Sequence, residues 1–180
     1  MTRESPSDAS QGLDVLVEDL IVTESFLIKG RVDGKFSRLV KTLEDDRRDF
    51  LVVNGATMID LLHGEVIRTP RVHVNMRAVL FAHELVDAGS DYFQKRLSAE
   101  SGADRVRVRV FFHGPVNLEV AGRIRPRAYE AGLKERSFFV MDECEVRGLN
   151  LEETPELEIL AKLPYAIVHA PRVSYLYDFS

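Results

Sequence analysis

The stretch DRRDFLVVNGATMID, residues 46–60, has a counterpart near the other end of the chain, KERSFFVMDECEVRG, residues 134–148. In each stretch, a charged turn leads into an apolar run that ends in a short polar residue. That residue is Asn54 in the first copy and Asp142 in the second. A match of this kind arises either by chance or from an internal duplication, and the flanking sequence distinguishes the two explanations.

The flanks repeat in the same order. Three further pairs agree: FLIKGRV (26–32) with LEVAGRI (118–124), SRLVKTLEDD (37–46) with PRAYEAGLKE (126–135), and NMRAVLFAHEL (75–85) with APRVSYLYDFS (170–180). The first pair alternates apolar residues before Gly-Arg, the second has helix-like spacing, and the third has an arginine leading into an apolar run. Four ordered matches favour duplication.

The duplication predicts four regions. They are a disordered tail (1–13), a first unit (14–88), a linker or short helix (89–103) and a second unit (104–180). The tail is polar, and the linker is framed by glycines with a helix-like run over 91–100. The second unit has extra length at 149–160, which predicts a longer loop or hairpin.

Strand signals dominate both units. DRVRVRVFF (104–112) alternates strictly, with arginines on one face and valines on the other. In the first unit, Gly55 marks a point where strand register or curvature changes, and Pro70 marks a turn or an edge strand. About five short strands with one helical turn are typical of a small closed barrel. The sequence thus predicts a mainly β protein of two tandem small β-barrel units, Sm- or SH3-like, each with one short helix.

The first unit also resembles a known group of domains. The strand ending in GRV (30–32), the SRLVKTL helix (37–43), the FLVV run (50–53) and the final VNMRAVLF strand (74–81) resemble an uncharacterised bacterial family of small, loosely Sm-like barrels. The resemblance covers residues 21–85 best. It implies a fold and no particular activity, because that group has no catalytic residues to transfer.

Composition narrows the function. The net charge of −5 gives no global attraction to nucleic acid or anionic membranes. No apolar run approaches the roughly 18 residues of a membrane helix. One cysteine, Cys144, excludes an intramolecular disulfide and is typical of a reducing compartment. We therefore expect a cytoplasmic protein with no membrane partner.

The chain lacks signals of catalysis or metal binding. No histidine pair has the close helical spacing of zinc sites, among His63, His73, His83, His113 and His169. Cys144 is flanked by acids, which oppose thiolate formation. Neither a nucleophile elbow nor a phosphate-binding glycine loop is present. We predict no catalytic residue, metal or cofactor, and no enzyme.

Six arginines of the second unit are the candidate site: Arg105, Arg107, Arg109, Arg123, Arg125 and Arg127. If their strands pair, the guanidinium groups share one sheet face and could hold phosphate bidentately. The other interpretation is an ion-pair ladder with acids such as Glu119, Glu130 or Glu135. Residues 104–180 contain 11 basic and 12 acidic residues, a balance that favours the ladder.

Two ligand-binding alternatives remain. FVMDECEVRGLNL (139–151) is similar to the Asp-x-Ser-x-x-Gly strand of PilZ second-messenger domains, without its serine. Nucleic-acid binding requires exposed aromatic rings beside the arginines, whereas Phe26, Phe50, Phe138 and Phe139 occupy positions expected in the core.

The sequence predicts a non-catalytic binding or scaffolding (adaptor) protein of the bacterial cytoplasm, with a protein partner or self-association. The alternative is a module that senses a nucleotide, a cyclic dinucleotide or RNA through the second-unit arginines.

Overall fold

The computed structural model describes residues 18–35, 38–85, 104–130 and 136–179. Ten strands dominate this part of the chain. They are β1 (Glu18–Val22), β2 (Phe26–Val32), β3 (Phe50–Asp60), β4 (Val66–Asn75), β5 (Phe81–Leu85), β6 (Val106–Phe112), β7 (Leu118–Ile124), β8 (Phe138–Arg147), β9 (Lys162–His169) and β10 (Tyr175–Asp178). One α-helix, α1 (Leu39–Leu43), lies between β2 and β3. The prediction of a mainly β protein is confirmed.

All ten strands belong to one antiparallel sheet, in the order β10-β6-β7-β8-β9-β5-β1-β2-β3-β4. Within each half, the fifth strand of the half is followed by its first, second, third and fourth strands. The two halves therefore have the same strand order, as the repeat predicts. The sequence predicts two tandem barrels, whereas the structure has a single open sheet in which β5 of the first half pairs with β9 of the second.

A bulge at the second and third strands repeats in both halves. Between β2 and β3 the register shifts at Gly30, opposite Gly55, which has a φ of 58°. Between β7 and β8 it shifts at Gly122, opposite Glu143, which has a φ of 50°. Because the bulged positions coincide in the two quoted stretches, the sequence match reflects a shared backbone geometry.

Pro70 lies inside β4 and makes no turn. The register between β3 and β4 passes from the pair of Asn54 and Arg71 to the pair of Ala56 and Thr69, so Pro70 faces the Gly55 bulge. A proline has no N–H to donate, and β4 is an outermost strand of the sheet. Of the two positions expected for this proline, the structure selects the edge strand.

The helical segments differ between the halves. In the first half, Leu39 and Leu43 of α1 are buried one turn apart. The corresponding part of the second half has a 3-10 helix over Ala128–Glu130. The extra length of the second half, for which the sequence predicts a longer loop or hairpin, contains a turn followed by a 3-10 helix, Pro155–Leu160, whose Leu157 and Leu160 are buried in the core. The predicted tail (1–13) and linker helix (91–100) lie outside the described residues.

Two hydrophobic cores lie on opposite faces of the central strands. In β1, Leu20 and Val22 belong to the core that holds most of the second half, whereas Ile21 belongs to the core around α1. Successive residues of a strand point to opposite faces, so β1 is buried on both. Burial on both faces explains the continuous apolar run of LIV in this strand.

The joint between the halves is short and well connected. Phe81 and Ala82 of β5 pair with Val168 and Ile167 of β9, and the His169 N–H donates to the Leu80 carbonyl at 2.9 Å. Further contacts cross the joint on both sides. Arg136 donates to the carbonyl oxygen of Arg48 and pairs with Asp49 at 3.0 Å. These contacts hold the two halves in one continuous sheet.

Candidate functional site

The predicted arginine face is partly present, on β6 and β7. Arg107 and Arg109 lie on β6, and Arg123 lies on β7 directly opposite Arg107. Val108 and Val110 point the other way and are buried. The alternation of arginine and valine thus orients β6 as the sequence predicts, since burial favours the valines.

Arg105 does not join this face. It precedes β6, its side chain is only 5% exposed, and its Nη1 lies 3.3 Å from Oδ1 of Asp142. The buried carboxylate of Asp142 has a pKa above its ordinary value, because burial disfavours the charged form and Arg105 only partly compensates. Arg105 therefore neutralises a charge in the interior and is not available to a ligand.

Arg125 and Arg127 also lie outside the face, beyond the end of β7 at Ile124. The Nε of Arg127 donates to Glu130 at 2.6 Å. Of the six predicted residues, three share the face and three do not. The period-two pattern could not reveal this, because β6 begins only at Val106 and β7 ends before Arg125.

Glutamates pair with most of the arginines on the face. Arg109 donates to Glu119 at 2.6 Å, and Arg123 lies 3.3 Å from Glu143. Arg147 of β8, which the sequence reasoning missed, donates to Glu145 at 3.1 Å. The expected ladder is therefore present for Glu119 on the face and for Glu130 beyond it, whereas Glu135 is outside the described residues.

These ion pairs hold their members in the charged form. The pKa of Glu145 is lowered, first by its hydrogen bond with Arg147 and then by the charge of that guanidinium. The pKa of Arg109 is raised by its hydrogen bond with Glu119. Within the described ranges, no carboxylate lies within ion-pair distance of Arg107. Arg107 thus differs from Arg109, Arg123 and Arg147 of the same face, each of which has a glutamate within ion-pair distance.

An aromatic strip on β10 borders the arginines. Tyr177 is paired with Arg109 and Tyr175 with Phe111, so these side chains point to the same side of the sheet. Tyr175, Tyr177 and Phe179 are 60%, 59% and 60% exposed. The sequence analysis placed Phe26, Phe50, Phe138 and Phe139 in the core and missed this strip. The expectation is wrong for Phe50, which is 50% exposed at the start of β3. The signal for the strip was the alternation of rings in SYLYDF (174–179).

The arginines and the last ring enclose a groove of about 440 Å³. Its walls come from β6, β7, β8 and the segment after β10. The polar lining residues are Arg107, Arg109, Arg123, Glu143, Glu145 and Arg147, and Phe179 contributes an aromatic face. The Phe179 N–H donates to the Arg107 carbonyl at 3.1 Å, which holds the backbone of Phe179 against β6.

A second charged cluster lies inside the first half. The Nζ of Lys35 is 2.7 Å from both Oδ1 of Asp19 and Oε1 of Glu84, and the side chains are 10%, 0% and 5% exposed. Asp19 also accepts the Val32 N–H at 2.9 Å. Burial raises the pKa of Asp19, while Lys35 opposes that shift. The cluster anchors the loop after β2 to β1 and β5.

The histidines and the cysteine are dispersed. His83 and His169 are buried, and Cys144 is a buried free thiol whose pKa is raised by burial. Among the residues that the structure describes, no three potential metal ligands lie together. In the same part of the chain, no helix is long and apolar enough to cross a membrane.

Comparisons with known proteins were made for the whole chain. No model of a protein family matches it, and no solved structure does. A 110-residue segment is 27% identical to a kynurenine 3-monooxygenase of Aspergillus terreus, and the match covers 59% of this chain and 21% of that protein. The chain thus spans about a fifth of the length of the curated protein that it matches.

Proposed function

We propose that the protein is a non-catalytic scaffold of the cytoplasm that assembles with further copies of itself through the open edges of its sheet. The observation that supports this is the internal joint. There, β5, the fifth strand of the first half, pairs with β9, the fourth strand of the second half. The two outermost strands of the sheet are β4, the fourth strand of the first half, and β10, the fifth strand of the second half.

The two free edges are therefore a fifth strand and a fourth strand, the same kinds of strand that pair at the internal joint. If β10 of one copy pairs with β4 of the next, the contact between molecules repeats the contact inside the molecule. Such a head-to-tail contact is heterologous, so it generates a ring or a filament. Edge strands with unpaired backbone groups readily pair in this way unless the chain blocks them, for example with a proline. Pro70 lies in β4, but the part of the strand from Arg71 to Asn75 has no proline and is free to pair.

The comparison of the two halves also supports an architecture of two small barrel units. We regard each half as one copy of a small Sm- or SH3-like barrel unit, because both have the same strand order and the same bulge.

Apolar side chains near the β4 edge also suit a contact between molecules. Val66 and Ile67 are 37% and 46% exposed, and Leu62 is 56% exposed in the preceding turn.

A proline at His73 tests the scaffold. The Met76 N–H donates to the Asp49 carbonyl on the β3 side, and N–H groups alternate in direction along a strand. The His73 N–H therefore points to the open edge, and His73→Pro blocks this edge without removing a hydrogen bond to β3. His73→Ala is the matched control, since it removes the same side chain and keeps the N–H.

Light scattering over micromolar concentrations gives the outcome. We expect wild type and His73→Ala to form assemblies of at least two copies of the 20.4 kDa chain, and His73→Pro to be a monomer. Circular dichroism establishes that the proline variant is folded. A wild-type monomer across this range, or an assembled and folded His73→Pro, contradicts the proposal.

A further inference from the structure

The groove beside β10 combines a cationic end with an aromatic wall. Arg107 and Arg123 are direct cross-strand partners, and like charges in that arrangement repel each other. Glu143 lies 3.3 Å from Arg123, in a pair whose side chains are 64% and 47% exposed, respectively. An anion between the two guanidinium groups would remove the repulsion, and a phosphate oxygen suits the planar donors of arginine.

The aromatic wall lies next to this anion position. Phe179 lines the groove together with Arg107, and its backbone is hydrogen-bonded to the Arg107 carbonyl. Tyr177 stands on the adjoining strand position and contacts Phe111 edge-on, with ring centroids 5.5 Å apart. An exposed ring can stack on a nucleobase, as in proteins that bind single strands.

The opposite wall limits the charge of the ligand. Glu143 and Glu145 lie there, and the lowered pKa of Glu145 keeps this carboxylate ionised. Carboxylates repel a chain of phosphates, but they accept hydrogen bonds from sugar hydroxyls and from base amino groups. The volume of about 440 Å³ also lies at the lower end of the range for small-molecule sites.

We infer that this groove binds one nucleotide unit, with its phosphate between Arg107 and Arg123 and its base against Phe179. The unit is either a free mononucleotide or one nucleotide of a single strand, since both present a phosphate next to an aromatic base. The site lies on a sheet face of the second half, whereas the proposed assembly uses strand edges.

Calorimetric titration at low salt tests the site with four probes. They are adenosine monophosphate, adenosine, inorganic phosphate and a single-stranded oligodeoxyadenylate of about ten nucleotides. We expect the monophosphate or the oligonucleotide to bind at least tenfold more tightly than adenosine or phosphate alone. Tight monophosphate binding identifies a free nucleotide as the source, and binding of the oligonucleotide alone identifies a nucleic acid.

Variants distinguish this groove from non-specific charge. Arg107→Gln and Phe179→Leu should each weaken binding about tenfold or more, because one removes a charged hydrogen bond and the other the stacking surface. Arg68→Gln, an exposed arginine on β4, removes the same charge at the far edge of the sheet and should leave binding unchanged.

Thermal melting by circular dichroism confirms that each variant is folded before binding is compared. The inference is overturned if none of the four probes binds at low salt, or if phosphate alone binds as tightly as the nucleotide probes. It is equally overturned if Arg107→Gln and Arg68→Gln change the affinity to the same extent.

Discussion

Gly30 and Gly122 occupy the same position in two copies of one bulge. A Cβ on Gly30 would lie 2.8 Å from the Asn54 carbonyl oxygen, and a Cβ on Gly122 would lie 2.8 Å from the Asp142 carbonyl oxygen. In each half the second strand thus approaches the backbone of the third more closely than a side chain allows. The glycine of the repeated Gly-Arg pair has a structural cause, which is this close approach.

Alanine at Gly30 should therefore be more destabilising than alanine at Gly55. A Cβ on Gly30 would also meet Cγ1 of Val53 at 2.6 Å, so we expect Gly30→Ala to lower the free energy of unfolding by about 3 kcal/mol. At Gly55 nothing lies within 4 Å, and only the positive φ opposes alanine, at about 1 kcal/mol. Urea unfolding measures both values. Equal losses would show that the bulge tolerates a side chain at Gly30.

The buried lysine of the first half should be essential for stability. Lys35→Met removes the cation beside Asp19 and leaves Glu84 with Arg38, whose Nε lies 3.0 Å from Oε2 of Glu84. The buried carboxylate of Asp19 without its lysine should cost about 3–5 kcal/mol at neutral pH. The loss should shrink in acid, because protonation removes the charge of Asp19, whose pKa burial already raises. Urea unfolding at two pH values measures this.

Lys29→Met is the control for the loss of one lysine. Its Nζ is 3.9 Å from Glu18, and both side chains are partly exposed, so the change should cost at most about 1 kcal/mol. If the two lysine variants are equally stable, the Lys35 cluster does not depend on its ion pairs.

Asp142 should give the protein a component of stability that falls as pH rises. Burial raises the pKa of Asp142 in the folded state, so the folded state binds this proton more tightly than the unfolded chain does. The contribution of Asp142 to the free energy of unfolding is thus largest below the ordinary pKa of 3.8 and declines as pH rises through the folded-state pKa. Compared with wild type, Asp142→Asn should gain relative stability over that interval.

Asp45→Asn tests the opposite pH dependence, in which a side chain contributes to stability at high pH and loses that contribution at low pH. Hydrogen bonds with Arg47 lower the pKa of Asp45 to about 2, so its contribution is present above pH 3.8 and is lost as pH falls towards 2. Urea unfolding between pH 2 and 7 compares each variant with wild type, and other titrating groups cancel in the difference. A pH-independent difference for Asp142→Asn would contradict the raised pKa.

The sequence by itself determined the local features of this protein. The alternation of VRVRV oriented β6, and the repeat around FLVV and FFVM indicated that the two halves share one strand order. Pro70 marked a turn or an edge strand. These features depend on the period of a strand and on the geometry of single residues, which neighbours in the chain specify.

Only the tertiary structure decided which strands meet and which side chains share a surface. Pairing of β5 with β9 joined the two halves into one sheet. Within the second half, pairing of β6, β7 and β8 brought Arg105 against Asp142, and pairing of β10 with β6 brought Phe179 beside Arg107. The contacts of β5 with β9, of Arg105 with Asp142 and of Phe179 with Arg107 each join residues more than 30 positions apart, so no local pattern encodes them. Strand period specifies the face on which a side chain lies, and long-range strand pairing specifies what lies next to it.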